Sequence, residues 1–242
     1  MKILVFDIRG DFGHFRKFYT TTSPLTFSFP PPPTIAGILG AIYGTDKNTN
    51  EYLTVFGGDE CKIGLQILSP VRKVRIGLNL LETKGTNLRI PMSDKNLAPR
   101  TQIRTELLKD PHYRIYVSHE DNDVFHGLCK NIKEHISVYT VSLGLSEFLA
   151  NFNYVGIFEC EEVKDSCIVE LSTPIQTQNL SEDKLEIESG KKYFKEKMPI
   201  KMNQERIVEK YDDVIFEPDG KTIKAKVKNY CRLENGENIT FF

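Results

Sequence analysis

Between Gly10 and Tyr19 the chain reads "GDFGHFRKFY", gathering glycines, two cations and several aromatic rings in a short span. Gly10 and Gly13 bracket Asp11 and Phe12, so the backbone there can turn tightly and approach a ligand closely. Arg16 and Lys17 supply charge for phosphates. Phe15, Phe18 and Tyr19 supply flat faces for bases. Stacking joined to phosphate neutralisation is how single-stranded RNA is held without groove readout. Taken singly these residues are ordinary core and surface positions, and only their combination singles the stretch out. Charge reversal at Arg16 and Lys17 is expected to weaken assembly of a complex on the RNA while the protein stays folded.

Other reactive residue types read as structural. "HEDNDVFH" (119–126) holds His119, Glu120, Asp121, Asp123 and His126, a set that suggests a metal. It crosses into a helix, however, where acids are explained as caps and first-turn residues. "LGLSEF" lacks the Gly-x-Ser-x-Gly of a nucleophile elbow, and Ser146 has no evident acid and histidine partner. The five cysteines, at 61, 129, 160, 167 and 231, form no CxxC pair and resemble neither a disulfide framework nor a zinc site. A reduced, cytoplasmic setting is the expectation, with no metal or cofactor.

Several elements must position the cationic loop. "KILVFDI" (2–8) reads as a strand and suits that better than an export signal. Pro30–Pro33 form a rigid lead-in to a helix capped by Thr34, whose Ile35, Ile38, Leu39 and Ile42 share a face and which Gly44 stops. The Thr34 end also offers free N–H groups suited to a phosphate, although tight packing explains Gly37, Gly40 and Ala41 equally well. Strands follow at 61–68 and 112–117, then a helix over 121–135 with Val124, Phe125, Leu128 and Ile132 on one face, then a strand at 153–163. The order β-α-β, insertion, β-α-β is that of a split ferredoxin-like domain. The insertion, 71–111, is basic: residues 71–114 hold 10 Lys+Arg against 4 Asp+Glu. Long connections inside a domain are usually functional or disordered, and "VRKVRIGLNL" reads as one arm of a projecting ribbon. After about residue 165 a small β-rich C-terminal lobe is expected. It should contain a hairpin over 214–227 turning at Pro218-Asp219-Gly220 and another at Asn235-Gly236.

Composition agrees. The chain's 242 residues are 40% hydrophobic and 27% charged, ample for one large domain or two small ones. No apolar run approaches the ~20 residues that span a bilayer, so no membrane role is expected. The net charge of −1 hides an asymmetry, with 16 Lys+Arg against 10 Asp+Glu in residues 1–117 and 16 against 23 afterwards. Such a chain can present one cationic face to a polyanion, although chance scatter also gives this.

Three separated segments resemble a known family. "FGHFRK" with "TTSPLTFSFPPPPTIAGILGAIYG" (21–44), "RTQIRTELLKDPHYRIYV" (100–117) and "YTVSLGLSEFLANFNYVG" (139–156) look like the fifth CRISPR-associated (Cas) family. Its members, of the RAMP superfamily, cap the crRNA 5′ handle in type I Cascade complexes; the type I-B-like branch is the nearest in length and texture. The resemblance implies an α+β chain. A ferredoxin-like (RRM-like) βαββαβ domain would occupy 1–164, carrying a β-hairpin thumb at about 71–111, and the lobe 165–242. It implies handle contacts from Gly10, Gly13, Phe15, Arg16, Lys17 and Tyr19. By position it adds Arg72, Lys73 and Arg75 at the thumb's base and Arg100, Thr101, Gln102 and Arg104 near its return. The partners would be crRNA, the backbone and large subunits, and target DNA near the protospacer-adjacent motif.

An enzyme is the alternative. One branch of this family cleaves repeat RNA without metal, using a tyrosine, a lysine and a histidine to move protons and stabilise the phosphorane. Tyr43, Lys109 and His112 are the candidates here, but Asp110 and Pro111 interrupt the adjacent Lys-His pair of that branch. The expectation is a non-catalytic subunit. A ferredoxin-like protein-interaction module is a third reading, and it would disperse the positive charge over the surface.

Overall fold

The computed structural model describes residues 1–81, 100–164 and 167–242. The N-terminal strands and helices are β1 (Lys2–Arg9), β2 (Phe12–Gly13), α1 (Pro32–Tyr43), α2 (Tyr52–Val55), β3 (Cys61–Ile67), β4 (Lys73–Leu81), β5 (Arg100–Lys109), β6 (His112–His119), α3 (Asn122–Lys133) and β7 (Asn151–Val163). There follow β8 (Ile168–Leu171), β9 (Ile175–Gln176), β10 (Leu180–Leu185), β11 (Phe194–Met202), β12 (Val208–Phe216), β13 (Ile223–Val227), β14 (Tyr230–Leu233) and β15 (Asn238–Ile239). The fold is mixed α+β, with several sheets and few helices, consistent with a ferredoxin-like architecture. No helix among the described residues is long and apolar enough to cross a membrane.

The main sheet runs β15-β14-β7-β1-β6-β3, with β1 antiparallel to both β6 and β7. Strand alternation sends Leu4, Phe6 and Ile8 to the helical side, where they pack with Ile35, Leu39 and Ile42 of α1 and Phe125, Leu128 and Ile132 of α3. Ile3 and Val5 point the other way, into a second cluster with Tyr116, Cys231, Leu233 and Ile239. Burial on both faces is why "ILVF" reads as an unbroken apolar run. The C-terminal residues cross that second face: Thr240 and Phe241 approach Gly64 of β3, and the Phe242 amide donates to the Ile63 carbonyl (3.0 Å). This covers part of the sheet face on which RNA-recognition domains present their stacking aromatics.

Two details differ from expectation. The N-cap of α1 is Pro31, not Thr34. Two prolines fit the first turn because their missing N–H groups would have no intrahelical partner, and Pro31 O accepts from Thr34 N and Ile35 N. The turn at Gly220 forms, with Glu217 accepting amides of Asp219 and Lys221, but its flanking strands do not pair as a hairpin. β12 instead joins β11 and β9, while β13 joins β10 and β8. The second hairpin forms, β14 on β15. The strands after residue 165 pack into more than one cluster. Met198, Val214 and Phe216 lie in the main core, whereas β8, β10 and β13 build a cluster of their own with Leu171 and Val227.

Candidate nucleic-acid interface

The loop after β1 is seated from beneath by residues 141–150. A Cβ on Gly10 would come within 2.9 Å of the Leu149 carbonyl, and one on Gly13 within 3.4 Å of Leu143. The His14 amide donates to the Leu143 carbonyl (2.9 Å). Gly144 is the tightest point: its φ is +98°, and a Cβ there would lie 1.9 Å from the His14 carbonyl oxygen. "LGLSEF" is thus the seat of the cationic loop. Ser146 Oγ donates to its neighbour Glu147 (3.2 Å).

Beyond Gly13 the loop's residues part company. Phe15 is 3% exposed in the main core, and its amide donates to Thr26 Oγ1 (2.9 Å). It is a packing ring, which corrects its assignment as a stacking face. Arg16 is exposed, with Nη2 donating to the carbonyls of Thr20 and Thr21 (2.8 and 3.3 Å). Lys17 turns inward onto Glu196 (3.1 Å), both side chains being mostly buried. Burial disfavours its charge, but the Glu196 carboxylate outweighs that and raises its pKa. Lys17 is therefore an internal counter-ion more than a phosphate ligand.

Lys73 shares the pairing. Its ammonium donates to the Thr26 carbonyl (2.9 Å) and lies 3.5 Å from Glu196 and 3.8 Å from Glu106. Arg75 reaches Glu106 (3.6 Å) with its side chain 70% exposed. Two carboxylates thus hold three cations where the loop, the β4–β5 ribbon and β11 meet, leaving Arg75 outermost.

On the ribbon, opposed residues share a face. Arg75↔Glu106, Gly77↔Arg104 and Asn79↔Gln102 form a polar face with exposed Arg104 and Gln102. Thr101 pairs with Leu80 on the other, apolar face with Ile76 and Ile103, so it does not join Gln102 and Arg104. Arg72 is exposed just before β4, its carbonyl accepting from the Lys109 amide (2.9 Å). Arg100 pairs with Leu81 at the last described rung. Its side chain and residues 82–99, the rest of the expected thumb, lie outside the described residues.

The profile of the family described as CRISPR-associated protein (Cas_Cas5) matches residues 3–214. The chain belongs to this family. Among solved structures it is similar to a chain of a CRISPR RNA-guided surveillance complex, with a TM-score of 0.54 and 9% identity over 98% of this chain and 93% of that one. It is similar also to a CRISPR protein from Archaeoglobus fulgidus, with a TM-score of 0.56 and 15% identity over 98% and 97%. These likenesses are of fold. No curated protein matches the sequence.

In this Cas5-family chain the three candidate catalytic groups are not brought together. The Tyr43 ring packs in the helical layer, edge-on to Phe56 at 5.7 Å and against Gly127 of α3. His112 lies on the opposite face of the sheet, 4.0 Å from Asp7, which Arg114 grips through two hydrogen bonds (2.8 and 3.1 Å). Burial, with Arg9 and Arg114 nearby, lowers the pKa of His112 against the pull of Asp7. Exposed Lys109 stands at the end of β5. The acids of 119–126 do what helix capping asks: Asp121 Oδ1 accepts the amides of Asp123 and Val124. Among the described residues no group of three or more His, Cys, Asp or Glu could hold a metal ion. Cys129 lies in the main core and Cys61 packs against it, and burial pushes their thiols to about 11 and about 12.

Sequence reasoning missed the partners of its own loop. Tyr19 is 59% and Phe18 54% exposed, as a surface role requires, but the third ring beside them is Tyr211. Glu196, which neutralises Lys17, lies 179 positions away. No local pattern signals either.

Proposed function

We propose that this chain is the crRNA-binding subunit of a type I Cascade-like surveillance complex, holding the 5′ handle without cleaving it. The observation that carries this is the cationic polar face of the ribbon, Arg75, Gln102 and Arg104, meeting the exposed Arg16 loop through the Glu106–Lys73–Glu196 cluster. Gathered charge of this kind supports RNA binding over a pure protein-interaction module. In this reading β1-α1-β3-β6-α3-β7 is the ferredoxin-like (RRM-like) βαββαβ core, in the sheet order β7-β1-β6-β3, and β4–β5 is the base of a thumb. The division into a domain at 1–164 and a β-rich lobe at 165–242 belongs to the same reading. So do a cytoplasmic location, a type I-B-like subtype, docking to backbone and large subunits, and contact with target DNA near the protospacer-adjacent motif.

The test incubates purified protein with end-labelled repeat RNA of its own locus in EDTA. Intact RNA on a denaturing gel, with a handle-dependent shift in a native lane, is expected. A discrete cut at the handle boundary would overturn the non-cleaving assignment. Arg75→Glu with Arg104→Glu should weaken binding and flatten its salt dependence by roughly 0.7 for each phosphate no longer neutralised.

A further inference from the structure

Phe18, Tyr19 and Tyr211 form an exposed aromatic patch outside the three hydrophobic clusters. Phe18 stands 5.1 Å from Tyr19, edge to face, and 4.9 Å from Tyr211 at 51°. All three remain substantially exposed, at 54, 59 and 38%. Large exposed rings in contact with one another call for an occupant. Cations adjoin them, and the nearby Asp213, opposite Lys197 on β12, is itself paired with Lys195. Lys197 lies over the Tyr211 ring at 5.8 Å and carries no ion pair among the described residues. Lys17 lies over Tyr19 at 6.0 Å, and Arg16 is exposed on the same loop.

We propose that Phe18, Tyr19, Tyr211 and Lys197 form a stacking platform for one or two unpaired bases of single-stranded RNA, built jointly by the N-terminal loop and the β11–β12 ribbon. It rests on the RNA-binding reading above and deepens it by bringing the C-terminal residues into the interface. Rings with adjacent cations suit a base and its phosphate, because every base has a stackable face and the backbone brings the complementary charge. The platform is continuous with the cationic ribbon. Arg75 contacts Glu106, Glu106 contacts Lys73, Lys73 contacts Glu196, and Glu196 contacts Lys17 beneath Tyr19. A strand lying along the polar face of β4–β5 therefore reaches the rings past two carboxylates, Glu106 and Glu196, that are mostly buried and paired with cations. The Glu196 contacts also hold β11 to the loop, fixing the two halves of the platform in register.

The experiment measures binding of labelled repeat-derived RNA to wild type, Phe18→Ala, Tyr211→Ala, Tyr211→Phe and Lys197→Gln across a salt series. Loss of a stacking ring should weaken binding about 10-fold with an unchanged salt slope, and Tyr211→Phe should retain affinity. Lys197→Gln should instead reduce the slope by roughly 0.7. Photo-crosslinking of iodouridine-substituted RNA to the wild-type protein should map to Phe18, Tyr19 or Tyr211, and needs no variant to fold. If wild type does not bind RNA, the parent reading and this one fall together. If wild type binds while both alanine variants bind equally well and crosslinks map elsewhere, the platform alone is overturned. It is equally overturned if the alanine variants keep RNA affinity but no longer join the neighbouring subunits, which would make the patch a protein interface.

Discussion

Lys17 shows how one contact changes the meaning of a charged residue. Its ammonium is held by Glu196, which also accepts from the Ser28 amide and hydroxyl (both 3.0 Å). Lys17→Glu sets two carboxylates together in a mostly buried site and should cost about 3 kcal/mol in chemical denaturation. Reversal at Arg16 and Lys17 together would therefore mix a change in binding with a loss of stability. Arg16→Glu alone is the sounder binding variant. Burial would raise the Glu196 carboxyl, but Lys73, the Ser28 amide and Lys17 outweigh it, leaving its pKa below the usual 4.5. Between the two values the unfolded chain binds more protons than the folded one, so stability rises with pH there. The Glu196 contribution is complete above about pH 4.5 and is lost as pH falls through the lower, folded value. In Glu196→Gln, the melting temperature against pH should be flatter in that acid window, with lower stability at neutral pH.

At the scale of elements, the loop is shaped by the segment beneath it. Gly144→Ala sets a Cβ 1.9 Å from the His14 carbonyl at a φ of +98°, so the loop or its seat must move. A loss of about 2 kcal/mol or more is expected, read by urea denaturation, with faster amide exchange across residues 10–19. An unchanged midpoint would mean that the loop is not seated on 141–150. α1 and α3 were legible because their periodicity is local: α3 begins at the Asp121 cap and buries Phe125, Leu128 and Ile132 as spaced. The 214–227 hairpin was misread because turn chemistry specifies a reversal but not which strand each arm will pair with. That choice belongs to Ile215 and Ala225, which lie against different neighbours, Lys195 and Val169.

For the whole molecule, the C-terminal crossing of the sheet is the dominant tertiary feature. Ile239 is fully buried against Ile3, Val5 and Tyr116, and the Thr240 hydroxyl and carbonyl are both bonded beside Thr173. Removing residues 234–242 should uncover that face and lower stability by about 3 kcal/mol or more, measured by denaturation with a dye that reports exposed apolar surface. A truncated chain of unchanged stability would show the crossing to be dispensable. With part of this face covered, the proposed RNA contacts fall on the loops and the ribbon.

The sequence by itself determined the elements and the family: β1, α1, β6, α3 and β7 follow from local periodicity, caps and breakers, and three motif segments carry the resemblance. It also marked the 10–19 loop and the basic ribbon as the charged, aromatic surface. Tertiary structure alone decided what each of those residues does. Phe15 went to the core, Lys17 went to Glu196, Tyr43 and His112 went to opposite sides of the sheet, and Tyr211 came to stand beside Phe18. The physical reason is range. Backbone preference and amphipathic spacing act over a few residues, whereas burial, ion pairing and ring contact depend on which distant segments the fold brings within a few ångströms.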